Sequence, residues 1–158
     1  MSVLSFFTWC EASPLGEAIR DSRWLFPVIE SVHLLGLAVI GGAVLIVNLR
    51  LLGFGLTRQS VTQLWRDTLP WLVGSLAVMI VSGLLLFTSE ATKLYYHEAF
   101  WVKMASLLLS IIFTFTAMRK IALSDPARLR PLWNRAAAVI SIILWSGVGM
   151  GGRWIGFS

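Results

Sequence analysis

Long apolar stretches separated by short polar ones set the pattern of this chain. Four runs stand out: Leu25–Val47, Leu69–Thr88, Phe100–Met118 and Ala136–Phe157. Each is apolar all round rather than along one stripe, and at 1.5 Å per residue each is long enough to cross about 30 Å of hydrocarbon. Pro27 and Pro70 fall near the starts of the first two runs, where a missing N–H costs little, and Asp67 or Thr68 can cap the second. The pattern predicts spans over about 24–53, 68–89, 98–119 and 135–156. Short connections make these an up-down-up-down bundle in one transmembrane domain covering 1–158. The fold expected is therefore all-α, an integral membrane four-helix bundle.

The segment before the first run reads differently. Over residues 3–22, Phe6, Phe7, Trp9, Leu15 and Ile19 alternate with Glu11, Glu17 and Arg20, and Pro14 interrupts. That mixture predicts one or two short helices lying at the membrane interface. Its apolar core is too short for a signal peptide and no basic residue precedes it, so this segment is expected to be retained. Small residues four apart, Ala38 with Gly42 and Gly147 with Gly151, mark faces where helices can approach closely in lipid.

Composition agrees with the pattern. Hydrophobic residues are 57% and charged residues 13%, too apolar for one soluble core of this size. The net charge of +5 is no nucleic-acid signal, because the Lys and Arg stand at the ends of apolar runs. Arg50, Arg58, Arg66, Arg119, Lys120, Arg128, Arg130 and Arg135 fall on one side against Asp67 and Asp125. The other side has Arg20, Arg23 and Lys93 against Glu11, Glu17, Asp21, Glu90 and Glu98. The basic side is expected to face the cytoplasm, with both termini in the periplasm and the chain in a bacterial inner membrane. The single cysteine, Cys10, excludes an internal disulfide and a multi-cysteine metal site.

The few ionisable groups inside the runs carry the candidate chemistry. His33 lies 17 residues before Arg50, Lys103 lies 16 before Arg119, and Arg153 lies 18 after Arg135. Each gap is about 24–27 Å of helix rise, so three spans bring a polar group to one level in the outer half. Glu30 stands one turn further out on the His33 face, since i and i+3 share a face, His97 stands near the outer surface, and Met104 and Met150 fall near the common level. Trp24, Trp101 and Trp154 ring it. Ionisable groups at such depth usually face a bundle interior or pair with one another.

Several readings of this cluster stay open. It can be a structural network in which Glu30 pairs with Arg153 or Lys103. It can hold one haem b, with His33 and His97 as axial ligands, or His33 with Met104, and with Lys103 and Arg153 on the propionates; Gly36 would leave room beside the ring. It can bind copper through His33, Met104 and Met150, or a quinone head group through His33 or Lys103 under Trp101. No cofactor at all is the remaining case. There is no nucleophile elbow, no H-E-x-x-H and no CxxC, so nothing identifies an enzyme. The leading expectation is a small redox-associated membrane protein exchanging electrons with quinone or a periplasmic partner. An accessory or scaffold subunit of a larger complex or homo-oligomer, and a copper-handling protein, are the alternatives.

The runs W-L-F-P-V-I-E-S-V-H-L-L-G-L-A (Trp24–Ala38), N-L-R-L-L-G (Asn48–Gly53), Y-Y-H-E-A-F-W-V-K (Tyr95–Lys103) and G-R-W-I (Gly152–Ile155) resemble an uncharacterised family of small bacterial four-helix inner-membrane proteins. That resemblance implies the topology and transfers no activity. A shorter similarity, a histidine followed by small residues within a span, is to the membrane domain of copper-resistance D-type proteins.

Overall fold

The computed structural model describes residues 2–55, 58–124 and 131–156. Asp125, Arg128 and Arg130, which were weighed in the charge balance, lie outside the described residues, as does Phe157. Seven helices account for nearly all of what is described, with no strand among the described residues. They are α1 (Val3–Glu11), α2 (Pro14–Asp21), α3 (Leu25–Leu52), α4 (Val61–Ser89), α5 (Ala91–Tyr95), α6 (Glu98–Ala122) and α7 (Pro131–Gly156). The long helices α3, α4, α6 and α7 are apolar and long enough to cross a membrane, and they form the expected bundle. The protein is thus a multi-pass membrane protein. The bundle end that carries α1, α2 and α5 is called the terminal face below, and the opposite end the basic face.

Helix α3 packs against α4 and α7, and α6 packs against α7. Ile40, Val44, Leu72, Leu76, Met79, Trp145 and Val148 fill the middle of the bundle. Val47, Leu51, Trp65, Met118, Ile121 and Ala138 fill it toward the basic face. Many large apolar side chains point outward, Leu35 (67% exposed) and Ile143 (63% exposed) among them. In water that would be costly. In lipid it costs nothing, and association rests on close packing instead.

Local signals set the helix ends. Gly53, at φ +89°, stops α3 in a left-handed turn, and the Phe54 N–H returns to the Leu49 carbonyl at 2.8 Å. The start of α4 corrects the sequence expectation. The Ser60 side chain caps it by accepting from the Gln63 N–H at 3.1 Å, so neither Asp67 nor Thr68 is the cap and Pro70 lies inside the helix. The reason is that the amphipathic stretch V-T-Q-L-W-R-D extends the helix beyond its apolar span, burying Leu64 and Trp65. Helix α6 widens into a π-helical turn over Thr114–Met118.

The small-residue pairs divide. Gly147 and Gly151 lie in the α6·α7 seam: a Cβ at Gly147 would stand 2.9 Å from Ser106 Oγ, and one at Gly151 would stand 3.0 Å from Lys103 Cβ. Ala38 is exposed and Gly42 has open space beside it, so the pairing expected there is not made within the chain. Helix α3 is turned so that Gly36, Ile40, Ala43 and Val47 face inward instead.

The N-terminal helices are latched to the terminal face. Phe7 and Cys10 are buried, and Phe7 meets Phe87, Tyr95 and Phe100 edge-on at 5.0–6.1 Å. Gly16 lies so close to α4 that a Cβ would run into the Thr88 carbonyl oxygen. Arg20 Nη1 donates to the carbonyls of Ser89 (3.0 Å) and Glu11 (3.1 Å), and Glu11 Oε2 accepts from the Thr92 N–H at 2.6 Å. Val3, Phe6, Trp9 and Leu15 stay exposed on the far side. Hydrogen bonds from Thr92, its side chain first, hold the Glu11 carboxyl below its ordinary value of 4.5; burial opposes this, and the Thr92 N–H and the Arg20 charge add to it. A lowered carboxyl pKa contributes stability that is complete above the unfolded value and is lost as pH falls through the folded one.

Two outcomes follow from this packing. Gly151→Ala should lower thermal stability by about 1–3 kcal/mol, as overpacking does, whereas Gly42→Ala should be neutral or slightly stabilising. Unfolding in detergent measures both, and equal effects would mean the α6·α7 seam is loose. Glu11→Gln at neutral pH should speed maleimide labelling of Cys10, the one cysteine, several-fold. An unchanged rate would mean the Glu11–Thr92 latch does not hold α1 down.

Candidate functional site

In a span, a polar side chain must find its partners within the protein. His33 does so. It is buried on α3, and its Nδ1 is 2.8 Å from Ser82 Oγ on α4. The Ser82 hydroxyl in turn donates to the Val78 carbonyl at 2.6 Å. A hydroxyl has one hydrogen to give, and with it on the Val78 carbonyl the Ser82 oxygen accepts from His33 Nδ1–H. This network assigns the tautomer. In that tautomer Nε2 carries the lone pair. Gly83 adjoins the ring: a Cβ there would stand 3.2 Å from His33 Cε1.

Lys103 reaches the same region from α6. Its stem lies across Gly151 and Gly152 of α7, with Nζ 3.4 Å from where a Gly152 Cβ would be. Among the described residues neither Lys103 nor Glu30 is in an ion pair; the pairs Arg20–Glu11 (3.7 Å) and Lys93–Glu90 (3.9 Å) lie outside the spans. Helices α3 and α6 thus carry an imidazole and an ammonium inside the spans without a carboxylate paired to either.

The other candidates sit elsewhere. Glu30 is exposed on α3, because an i, i+3 step turns about 60° away from the face that His33 presents to α4. The pairing of Glu30 with Lys103 is therefore absent, and a Glu30–Arg153 ion pair is likewise not made. Met104 (44% exposed) and Met150 (69% exposed) face outward, as does Trp101, whose Nε1 donates to the Tyr95 carbonyl at 3.1 Å. Arg153 and Trp154 are exposed at the end of α7. His97 is half-buried at the N-cap of α6 and lines a cleft of about 390 Å³ with Tyr96, Glu98, Ala99, Val102 and Trp154. Gly36 packs against Met79 of α4, its Cβ position 3.0 Å from Met79 Cγ, and not beside an open slot. So His33 faces α4 and the Lys103 stem lies against α7, while His97 opens on the α6·α7 cleft. Among the described residues no three His, Cys, Asp or Glu side chains converge as a metal ion would require.

Ser82 and Gly83 were missed in the sequence reading. The signal was present: Ser82 lies 16 residues after Arg66, the same depth as His33 before Arg50. Hydroxyls are simply too common in membrane helices for one serine to stand out.

Ser82→Ala should leave Nδ1–H without its side-chain acceptor and cost about 1–3 kcal/mol, the penalty of a buried unmatched donor. The double change His33→Leu with Ser82→Ala should recover most of that loss. Thermal unfolding of the four proteins of this cycle measures the coupling, and additive losses would mean the bond contributes nothing.

A family model described as "Family of unknown function (DUF6644)" matches residues 6–158. No curated protein and no solved structure matches the chain.

Proposed function

Since the chain belongs to this family of unknown function, its chemistry has to be read from its own residues, and we propose that it is a small redox-associated membrane protein holding one haem b at His33. One observation carries the reading: Ser82 Oγ bonds both His33 Nδ1 and the Val78 carbonyl, which favours the tautomer with its lone pair on Nε2, the form that ligates a metal. Metal-ligating histidines are commonly oriented by such a bond from their other nitrogen. Gly83 removes a side chain at the ring edge, and Lys103 supplies a cation that has no carboxylate of its own. In this reading His97 would be the second ligand, which requires it to turn from the cleft it lines toward His33, and Lys103 and Arg153 would hold the propionates. Met104 points outward, which favours His97 over the thioether. A haem so ligated supplies one-electron transfer, with quinone or a periplasmic protein as partner. The basic face is then cytoplasmic and the terminal face periplasmic in an inner membrane, as the charge asymmetry favours.

The same two groups support a second reading. An ammonium donor beside an imidazole acceptor matches the carbonyl and hydroxyl of a quinone head group. Copper loses support from the outward Met104 and Met150, which leave His33 as the one inward soft ligand of that set.

The optical spectrum separates these. Protein purified from haem-replete cells should show a Soret band that shifts on dithionite, and His33→Ala should abolish it while Met104→Leu leaves it. A colourless preparation overturns haem. Quinone recovered by solvent extraction from that colourless protein would favour the second reading, and stoichiometric protein partners would favour an accessory subunit.

A further inference from the structure

A second polar centre lies deeper, toward the basic face, and owes nothing to the haem reading. Asn48 of α3 is fully buried, and its Nδ2 donates to Ser141 Oγ of α7 at 3.0 Å. Its Oδ1 is buried with no hydrogen-bond partner. Exchanging the amide oxygen and nitrogen does not cure this. Ser141 would then donate to the oxygen, and the nitrogen would be left over. Either way the carboxamide has one group more than the protein matches.

The neighbouring hydroxyls have the complementary surplus. The other buried hydroxyls give their hydrogen to their own helix: Thr68 to Leu64, Ser75 to Trp71, Ser82 to Val78, Ser89 to Leu86 and Ser110 to Ser106. Among the described residues, Ser141 and Thr114 show only an accepted bond, from Asn48 Nδ2 and from Trp145 Nε1 (3.1 Å). Trp145 is one turn from Ser141 on α7, and Thr114 opens the π-helical turn of α6. π-turns gather at functional positions. Three helices thus bring an unmatched acceptor and two unassigned hydroxyl hydrogens into one buried region.

We propose that an ordered water molecule occupies this region, donating to the Asn48 carboxamide oxygen and accepting from the Ser141 hydroxyl. Trp145, one turn along α7 from Ser141, carries the chain of hydrogen bonds on to Thr114 of α6. A buried polar group in hydrocarbon costs several kcal/mol when unmatched, and internal waters are the usual remedy where two or more polar partners meet. The water also makes Asn48 a fastener between α3 and the α6·α7 pair.

Water-edited solid-state NMR on the protein in lipid bilayers tests this. The chain has two asparagines, Asn48 and Asn134, so selective labelling gives two side-chain amides, and Asn48→Leu assigns them. If that variant fails to fold, sequential correlations in the unaltered protein make the assignment. Magnetisation from water should reach the Asn48 amide several-fold faster than the side chains of Val44 and Val47, which are buried on the same helix. Transfer no faster than at those valines overturns the proposal. Replacing sodium by choline should leave the transfer unchanged; a sodium-dependent Asn48 shift would mean a cation sits there instead, and would equally overturn it.

Discussion

The absence of water from the hydrocarbon layer governs this structure. In a soluble protein, a polar side chain that misses its partner can turn to solvent. Within these spans it must be matched by another helix or by a bound molecule. The rule makes polar residues the informative ones, because each states which helices must meet and at what depth. His33 with Ser82 joins α3 to α4, Asn48 with Ser141 joins α3 to α7, and Trp145 with Thr114 joins α7 to α6. These three bonds tie the four spans together at two levels, and the apolar layer of Ile40, Leu76, Met79 and Val148 lies in the bundle's middle.

Apolar residues do a different job here. Lipid offers Leu and Val the same environment as the interior, so their burial gives little drive to associate. Contact must then come from shape. Gly147 and Gly151 let α6 approach α7, Gly36 lets Met79 of α4 approach α3, and Gly16 brings α2 onto the last turn of α4. At the terminal face, where water returns, ordinary forces resume. Aromatic edges around Phe7 and the Glu11–Thr92 and Arg20–Ser89 bonds hold the N-terminal helices in place. The bundle has glycine contacts in lipid and a polar, aromatic latch at its rim.

The fold was legible because the period and length of apolar runs respond to one variable, the thickness of the membrane. The helix ends were less so. Ser60 was overlooked because the first turns of α4 lie outside the apolar run, where capping chemistry and not hydropathy decides. The depth of the polar groups was also legible, since helix rise is fixed. Their azimuth was not. Counting residues put Glu30, Met104 and Met150 near the level of His33, yet each points outward. Rotation about a helix axis is set by which small residues find a neighbouring backbone. Gly36 and Gly151 did, and Gly42 did not, and no feature of a single sequence distinguishes them.

That difference between depth and azimuth decides how the two polar centres compare. Near the terminal face, the His33–Ser82 pair is matched: Ser82 Oγ bonds both His33 Nδ1 and the Val78 carbonyl, and the other ring nitrogen remains. A matched pair that still offers a ligand atom is what a binding site needs. Toward the basic face, the Asn48 group is incomplete: an acceptor is left over, with hydroxyl hydrogens close by. An incomplete network is what a small hydrogen-bonding molecule repairs. The first arrangement joins α3 to α4 through an imidazole and a hydroxyl. The second uses neutral amides and hydroxyls, the cheapest groups that join helices in lipid. The Asn48–Ser141 bond therefore holds α3 and α7 in register toward the basic face, as the His33–Ser82 bond holds α3 and α4 near the terminal face.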